Sequence, residues 1–231
     1  MKKALILLLL SLNSYSSVTH EQFLQLEEAL FLTFEDLKPF EQDILTINTT
    51  ANGLPDNYWW NLDMVHASYT RIDNQHNIFL FGGFARLEKM TLDGLAVTAC
   101  HEIGHGIGGA PYKSTGSSME GQADYFATKV CLPNVFKHLP QTSEIRVTEF
   151  SHKYCEQSED QTYCLRALNA LESDIHFYET LGDIVHFHTP SEEVATQLND
   201  HPTFYPSSQC RLDTSLAGVL KEPRPICWYP L

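Results

Sequence analysis

The sequence predicts an α+β fold, mainly helical with a small β-sheet and stapled by disulfides. Three observations carry this. Long stretches place apolar residues at helical spacing. Only two short neighbouring stretches read as strands. Six cysteines follow a leader-like N-terminus, and an even count in an exported chain implies disulfide pairing.

Lys2 and Lys3 precede an apolar run from Ala4 to Leu12, closed by Asn13, Ser14, Tyr15, Ser16 and Ser17. A basic start, a short apolar core and small exit residues make a secretory signal peptide, expected at 1–16. The run is about half of the ~20 residues that a spanning helix needs, so no membrane span is expected in the mature chain. Residues 17–231 then form a single domain, expected to be monomeric and secreted or periplasmic. The net charge of −14 argues against a nucleic-acid partner.

Residues 20–34 open the domain as a helix, with Phe23, Leu26, Leu30 and Phe34 on one face. Residues 48–57, rich in Asn, Thr, Gly and Pro, read as a loop. Residues 64–71 and 77–81 read as strands joined by a turn at 72–76. Thr91 can cap a helix from Leu92, with Asp93 favourable in its first turn. Leu95, Ala96, Ala99 and Ile103 give that helix its packing side, and Gly106, Gly108, Gly109 and Pro111 end it. After a loop at 112–118, Ser117 or Ser118 can cap a helix from Met119 to about Cys131, stopped by Pro133. Residues 141–148 read as a connection, 161–181 as a long helix and 191–198 as a short one. The tail, 202–231, is rich in Pro and Cys and reads as stapled to the body. Cys155 and Cys164 flank a turn-like acidic stretch and form the expected local pair. The partners of Cys100, Cys131, Cys210 and Cys227 stay open.

The chemistry concentrates at His101-Glu102-Ile103-Gly104-His105, an H-E-x-x-H. On a helix His101 and His105 share a face and can bind one metal ion, while Glu102 can hold a water on it as general base. A catalytic zinc site usually has three protein ligands plus water. Glu120 follows fifteen residues after His105, and Asp124 lies one helical turn further. Glu120 can be the third ligand, and Asp124 can accept the free ring N–H of a ligand histidine. A set with Asp124 as the third ligand is the alternative. The rival H-E-x-x-H-x-x-G-x-x-H pattern finds its glycine in Gly108, but Pro111 stands where the third histidine belongs.

H-E-x-x-H followed by Glu120-Gly121-Gln122-Ala123-Asp124 resembles the gluzincin metallopeptidases, most closely the HtpX-like and CAAX-prenyl-protease family. The resemblance implies a zincin-like fold and one Zn²⁺ per chain on His101, His105 and Glu120, with Asp124 behind a histidine. His201-Pro202 with Arg211 downstream is similar to the family's late H-P…R element, which makes His201 and Arg211 candidates for stabilising the oxyanion; Tyr112 and Tyr125 are others. Residues 78–83 sit where the family has an edge strand, one able to receive an extended peptide. The chain departs from the family in the short gap between the two motifs, in lacking membrane helices and in carrying six cysteines. His186 and His188 form an H-x-H without a third ligand and read as surface or packing residues. His66, His76, His138, His152 and His176 have no partner at diagnostic spacing.

These residues predict an exported zinc endopeptidase acting on a protein or peptide substrate. The alternatives are a non-catalytic secreted binding protein on the same scaffold, or a zinc hydrolase of a non-protein amide.

Overall fold

The computed structural model describes residues 17–49 and 54–231. The expected signal peptide, 1–16, lies outside the described residues. The architecture is α+β: a mainly helical body carries one three-stranded sheet. No helix among the described residues is long and apolar enough to cross a membrane.

Helix α1 runs from His20 to Leu37. Thr19 starts it with a capping box: its hydroxyl accepts the Gln22 N–H while the Gln22 side chain accepts the Thr19 N–H. The predicted stripe of Phe23, Leu26, Leu30 and Phe34 is buried. A short helix α2, Tyr58–Asn61, comes next; residues 50–53 of the expected loop lie outside the described residues.

The sheet contains β1 (Ile44–Ile47), β2 (Ala67–Ile72) and β3 (Gln75–Leu80), in the order β1-β3-β2. β2 and β3 form an antiparallel hairpin, and the turn contracts to Asp73 and Asn74. Asp73 adopts a φ of 53°, a left-handed conformation that aspartate tolerates. β1 pairs in parallel with β3. This corrects one expectation: residues 78–81 are not at an edge, because β3 is hydrogen-bonded on both sides. The sequence reading missed β1, four residues set between turns, and so left β3 one neighbour short. The free edge beside the cavity belongs to β2.

After a one-turn helix α3, Gly82–Ala85, the central helix α4 spans Leu92–Ile107. Its cap is the predicted one, Thr91 accepting the Gly94 N–H at 2.9 Å. Asp93 in its first turn takes a two-pronged bond from Arg166 on α8 (Gln161–Thr180), at 2.7 and 2.8 Å. α4 packs against α1, the sheet and α8, and also meets α5 (Glu120–Phe126). At that last contact the backbones nearly touch. A Cβ added to Gly104 would lie 2.9 Å from both Cα and O of Ala123.

The helix expected from Met119 starts at Glu120, and neither Ser117 nor Ser118 caps it; Met119 stands at the cap position with no side-chain bond. Nor does Pro133 stop it. α5 passes into a π-helical segment, Ala127–Cys131, and on into α6, Leu132–His138. Proline lacks the N–H that a π step would aim at the Thr128 carbonyl. The hydroxyl of Tyr163 donates to that carbonyl instead, and the Asn134 amide donates to Val130 O at 2.7 Å.

α7 (Glu149–Cys155) and α9 (Ser208–Val219) were not anticipated, the second hidden inside the Pro- and Cys-rich tail. Conversely, 191–198 is irregular rather than helical. Its apolar residues Val194 and Leu198 are exposed, so a helical face there would find no core. The segment is tied by backbone bonds instead, Ser191 N–H to Asp213 and Ala195 N–H to Ile226 O.

All six cysteines pair. Cys155–Cys164 is the expected bridge; Cys100–Cys131 ties α4 to the π segment, and Cys210–Cys227 ties the chain end to α9.

Gly104→Ala should lower unfolding free energy by about 1–3 kcal/mol, because backbone rather than a side-chain tip must yield. Denaturant titration measures this, and an unchanged midpoint would refute the tight approach of α4 and α5.

Candidate metal centre

The C-terminal half of α4 delivers His101, Glu102 and His105, all buried, to one wall of a cavity of about 350 Å³. The first turn of α5 delivers Glu120, and its second delivers Asp124; both are also buried. His101, His105 and Glu120 offer ligand atoms within 4.8 Å of one another, the one such group found among the described residues.

The outer ring nitrogens are committed. His101 Nδ1 lies 2.7 Å from Asp124 Oδ1, and His105 Nδ1 lies 2.9 Å from the Ser118 carbonyl. Each acceptor fixes an Nδ1–H, which turns both Nε2 atoms inward. Inward they meet Glu120: His101 Nε2 is 3.2 Å from Oε2 and His105 Nε2 is 3.5 Å from Oε1. The shorter approach is an ion-pair contact and not an aligned hydrogen bond, for Glu120 Oε2 is buried without a hydrogen-bond partner. Neutral imidazoles would set Nε2 lone pairs against carboxylate oxygens, which repel unless a cation, the extra proton of His101 or a metal ion, lies among them. Two imidazole nitrogens and a carboxylate oxygen suit a first-row divalent ion. The residues present therefore fit a metal.

Protonation in the metal-free chain follows the same need. Burial works against a charge on His101, but Asp124 and Glu120 outweigh it and raise its pKa to about 10. Burial, with the neighbouring His101 charge, lowers His105 to about 4. Burial opposes charge on Glu120 too, yet the two histidines and Arg211 hold its pKa well below the usual range. Lys113 on the intervening loop adds a second cation, its Nζ 2.5 Å from Glu120 Oε1. Glu102 differs from these groups: burial lifts its carboxyl to about 7, only partly offset by His101.

Arg211, from α9, lines the cavity and makes a two-pronged bond to Asp124, Nε to Oδ2 at 2.9 Å and Nη2 to Oδ1 at 2.7 Å. That pair holds the carboxylate that orients His101. Burial would raise the Asp124 pKa; Arg211 and His101 bring it below its ordinary value. Asp124 thus stands behind His101, and Glu120 offers the third possible ligand atom. His201 is not part of this constellation. It is exposed, absent from the cavity wall, and its Nδ1 faces the Thr203 N–H and hydroxyl. Four residues on, Tyr205 does line the cavity, with Lys113 and Arg211 beside its ring. Of the other tyrosines considered, Tyr125 donates to Glu222 O, and neither it nor Tyr112 lines the cavity. His186 and His188 stack on each other at the surface.

β2 forms the opposite lip, where His66, Ala67, Ser68 and Tyr69 line the cavity. The last turn of α4 is seated against this strand through Gly106. A Cβ there would strike Tyr69 Oη and His76 Nδ1, which bond to each other at 2.8 Å.

Sequence reasoning missed Lys113, Ser118, Tyr205, His66 and the α8 residues Asp174, Phe177 and Tyr178, all of which line the cavity or hold a ligand in place. Ser118 acts through its carbonyl, which no residue type signals. The α8 residues share an i, i+3, i+4 face, visible in sequence only as helix spacing.

Comparison with protein-family models, with curated proteins and with solved structures returns no match to this chain.

Titration with Zn²⁺ at pH 7 should load one ion per chain and release about one proton, that of His101, since His105 and Glu120 are already deprotonated. Calorimetry in buffers of different ionisation enthalpy reads the proton count. Glu120→Ala should abolish tight binding, and zinc retained by that variant would make Asp124 the third ligand instead.

Proposed function

We propose that this chain is an exported zinc-dependent endopeptidase, with a zincin-like site related to the gluzincins. The observation that carries the reading is the gathering of ligand atoms from His101, His105 and Glu120 within 4.8 Å of one another, with Glu120 Oε2 accepting no hydrogen bond and Glu102 in the same cavity. A zinc ion held there supplies a Lewis acid and an acidified water. Glu102 takes the proton of the attacking water and passes it to the leaving amine. Its pKa near 7 suits both steps at neutral pH, because a base close to the operating pH can also return its proton.

Other residues orient and exclude. The Asp124–Arg211 pair and the Ser118 carbonyl hold the two imidazoles in one tautomer. The free edge of β2 gives an extended peptide a strand to pair with along the cavity. Tyr205 takes the part expected of His201. Its pKa is raised, chiefly by the Glu120 charge, so the hydroxyl keeps its proton and can donate to a developing oxyanion. Three disulfides and the absence of a membrane-crossing helix among the described residues are compatible with export.

Glu102→Ala should cut cleavage of an unfolded protein such as casein by about 10²–10⁴-fold while leaving one zinc bound. Zinc-dependent cleavage that survives the substitution would overturn the mechanism. Casein left intact by zinc-loaded wild type would return the choice to the non-protein amide or the binding protein.

A further inference from the structure

One arm of the cavity lining, shared by α4 and α8, is not used by the proposed chemistry. From His101 it runs back along α4, where Val97 and Thr98 lie one turn earlier on the same face. Opposite them, α8 presents Asp174, Phe177 and Tyr178. Phe84 adds a further aromatic wall, packed on Phe177 with ring centroids 4.9 Å apart. The walls are thus ring and aliphatic surface, with one carboxylate among them.

That carboxylate has no partner. Among the described residues Asp174 makes no hydrogen bond and no ion pair, whereas the neighbouring acids Glu120 and Asp124 are engaged by Lys113 and Arg211. Of the cations acting on Asp174, Arg211 acts most strongly, and its hydrogen bonds to a carboxylate go to Asp124. Burial lifts the Asp174 carboxyl to about 7, and the Asp124 charge adds to the rise. Asp174 is half-buried, and a partly desolvated carboxylate without a counter-ion is stabilised by a ligand that brings one. The ligand chemistry is an alkyl stem for the apolar walls and a cationic head for Asp174. Lysine and arginine side chains have this form.

We propose that the arm between α4 and α8 is a specificity subsite in which Asp174 selects a lysine or arginine side chain of the peptide, next to the bond that is cut. This rests on the peptidase reading. The stem lies against Val97, Phe84 and Phe177, and the head reaches Asp174. A glutamate there would set two carboxylates together, and norleucine would leave Asp174 dehydrated and unpaired.

The test uses the zinc-loaded full chain and peptides that differ at one position beside the scissile bond, carrying lysine, norleucine or glutamate. The position is scanned on both sides of the bond. Lysine should exceed norleucine by about 10–100-fold in kcat/KM, the scale of a sheltered ion pair. In Asp174→Asn the lysine-to-norleucine ratio should fall to near one, and in Asp174→Lys the preference should turn to glutamate. Zinc content of each variant checks that the site is still assembled. A lysine preference that survives Asp174→Asn, or wild type that cuts lysine and norleucine peptides equally, overturns the inference while sparing the peptidase reading. Binding of the same peptides to zinc-loaded Glu102→Gln separates the two ideas. Lysine-selective, Asp174-dependent binding without cleavage by wild type keeps the subsite and removes the peptidase. Neither cleavage nor selective binding removes both.

Discussion

At Gly104 the backbone of α4 rests on the backbone of α5, and the geometry of the centre depends on that approach. A Cβ at this position would come within 2.9 Å of Ala123 Cα and O. Gly104 lies between the two histidines, and Ala123 lies between Glu120 and Asp124 in sequence. The contact therefore sets how far the carboxylates stand from the imidazoles. A larger separation would leave the histidines on one helix and their partners on another, out of reach of a single ion. The Cys100–Cys131 bridge and the Asp93–Arg166 pair hold other points of α4 to its neighbours, so the helix has little freedom to relax away.

Charge balance is the second constraint. His101, Glu120 and Asp124 are buried and Arg211 is partly buried, and there an unpaired charge is expensive. Each carboxylate is met by a cation: Asp124 by Arg211 and His101, Glu120 by Lys113 and His101. Lys113 holds Glu120 Oε1, whereas Oε2 accepts no hydrogen bond. The loop that carries Lys113 is thereby tied to the centre. Glu102 and Asp174 fall outside this balance, and in both burial raises the pKa to about 7. One is proposed to move protons and the other to receive a charge from a ligand.

The sheet matters through which strand is left unpaired. With β1 present, β3 is enclosed and β2 carries the free edge at the cavity. The Tyr69–His76 bond and the close seat at Gly106 fix that edge against the last turn of α4. An edge held in register with the metal ligands is what an extended substrate would need.

Local patterns carried a good part of this in the sequence. The capped α4, the buried stripe of α1, the β2–β3 hairpin and the Cys155–Cys164 bridge follow from spacing, caps and turn residues, each acting over a few neighbours. His101, Glu102, His105, Glu120 and Asp124 were legible because helical geometry places residues four apart on one face. Chain continuation past Pro133 was not, because it needs the Tyr163 hydroxyl, thirty residues away. β1 was too short to stand out, and α9 was masked by proline and cysteine around it. The presence of Tyr205 rather than His201 on the cavity wall, the pairing of Arg211 with Asp124 and the solitary carboxylate of Asp174 are also tertiary outcomes. Sequence alone fixed which side chains could hold a metal and on which helices they ride. Packing decided which distant groups orient them, which edge stays open and which charge is left without a partner, since those depend on contacts between segments that local preference does not encode.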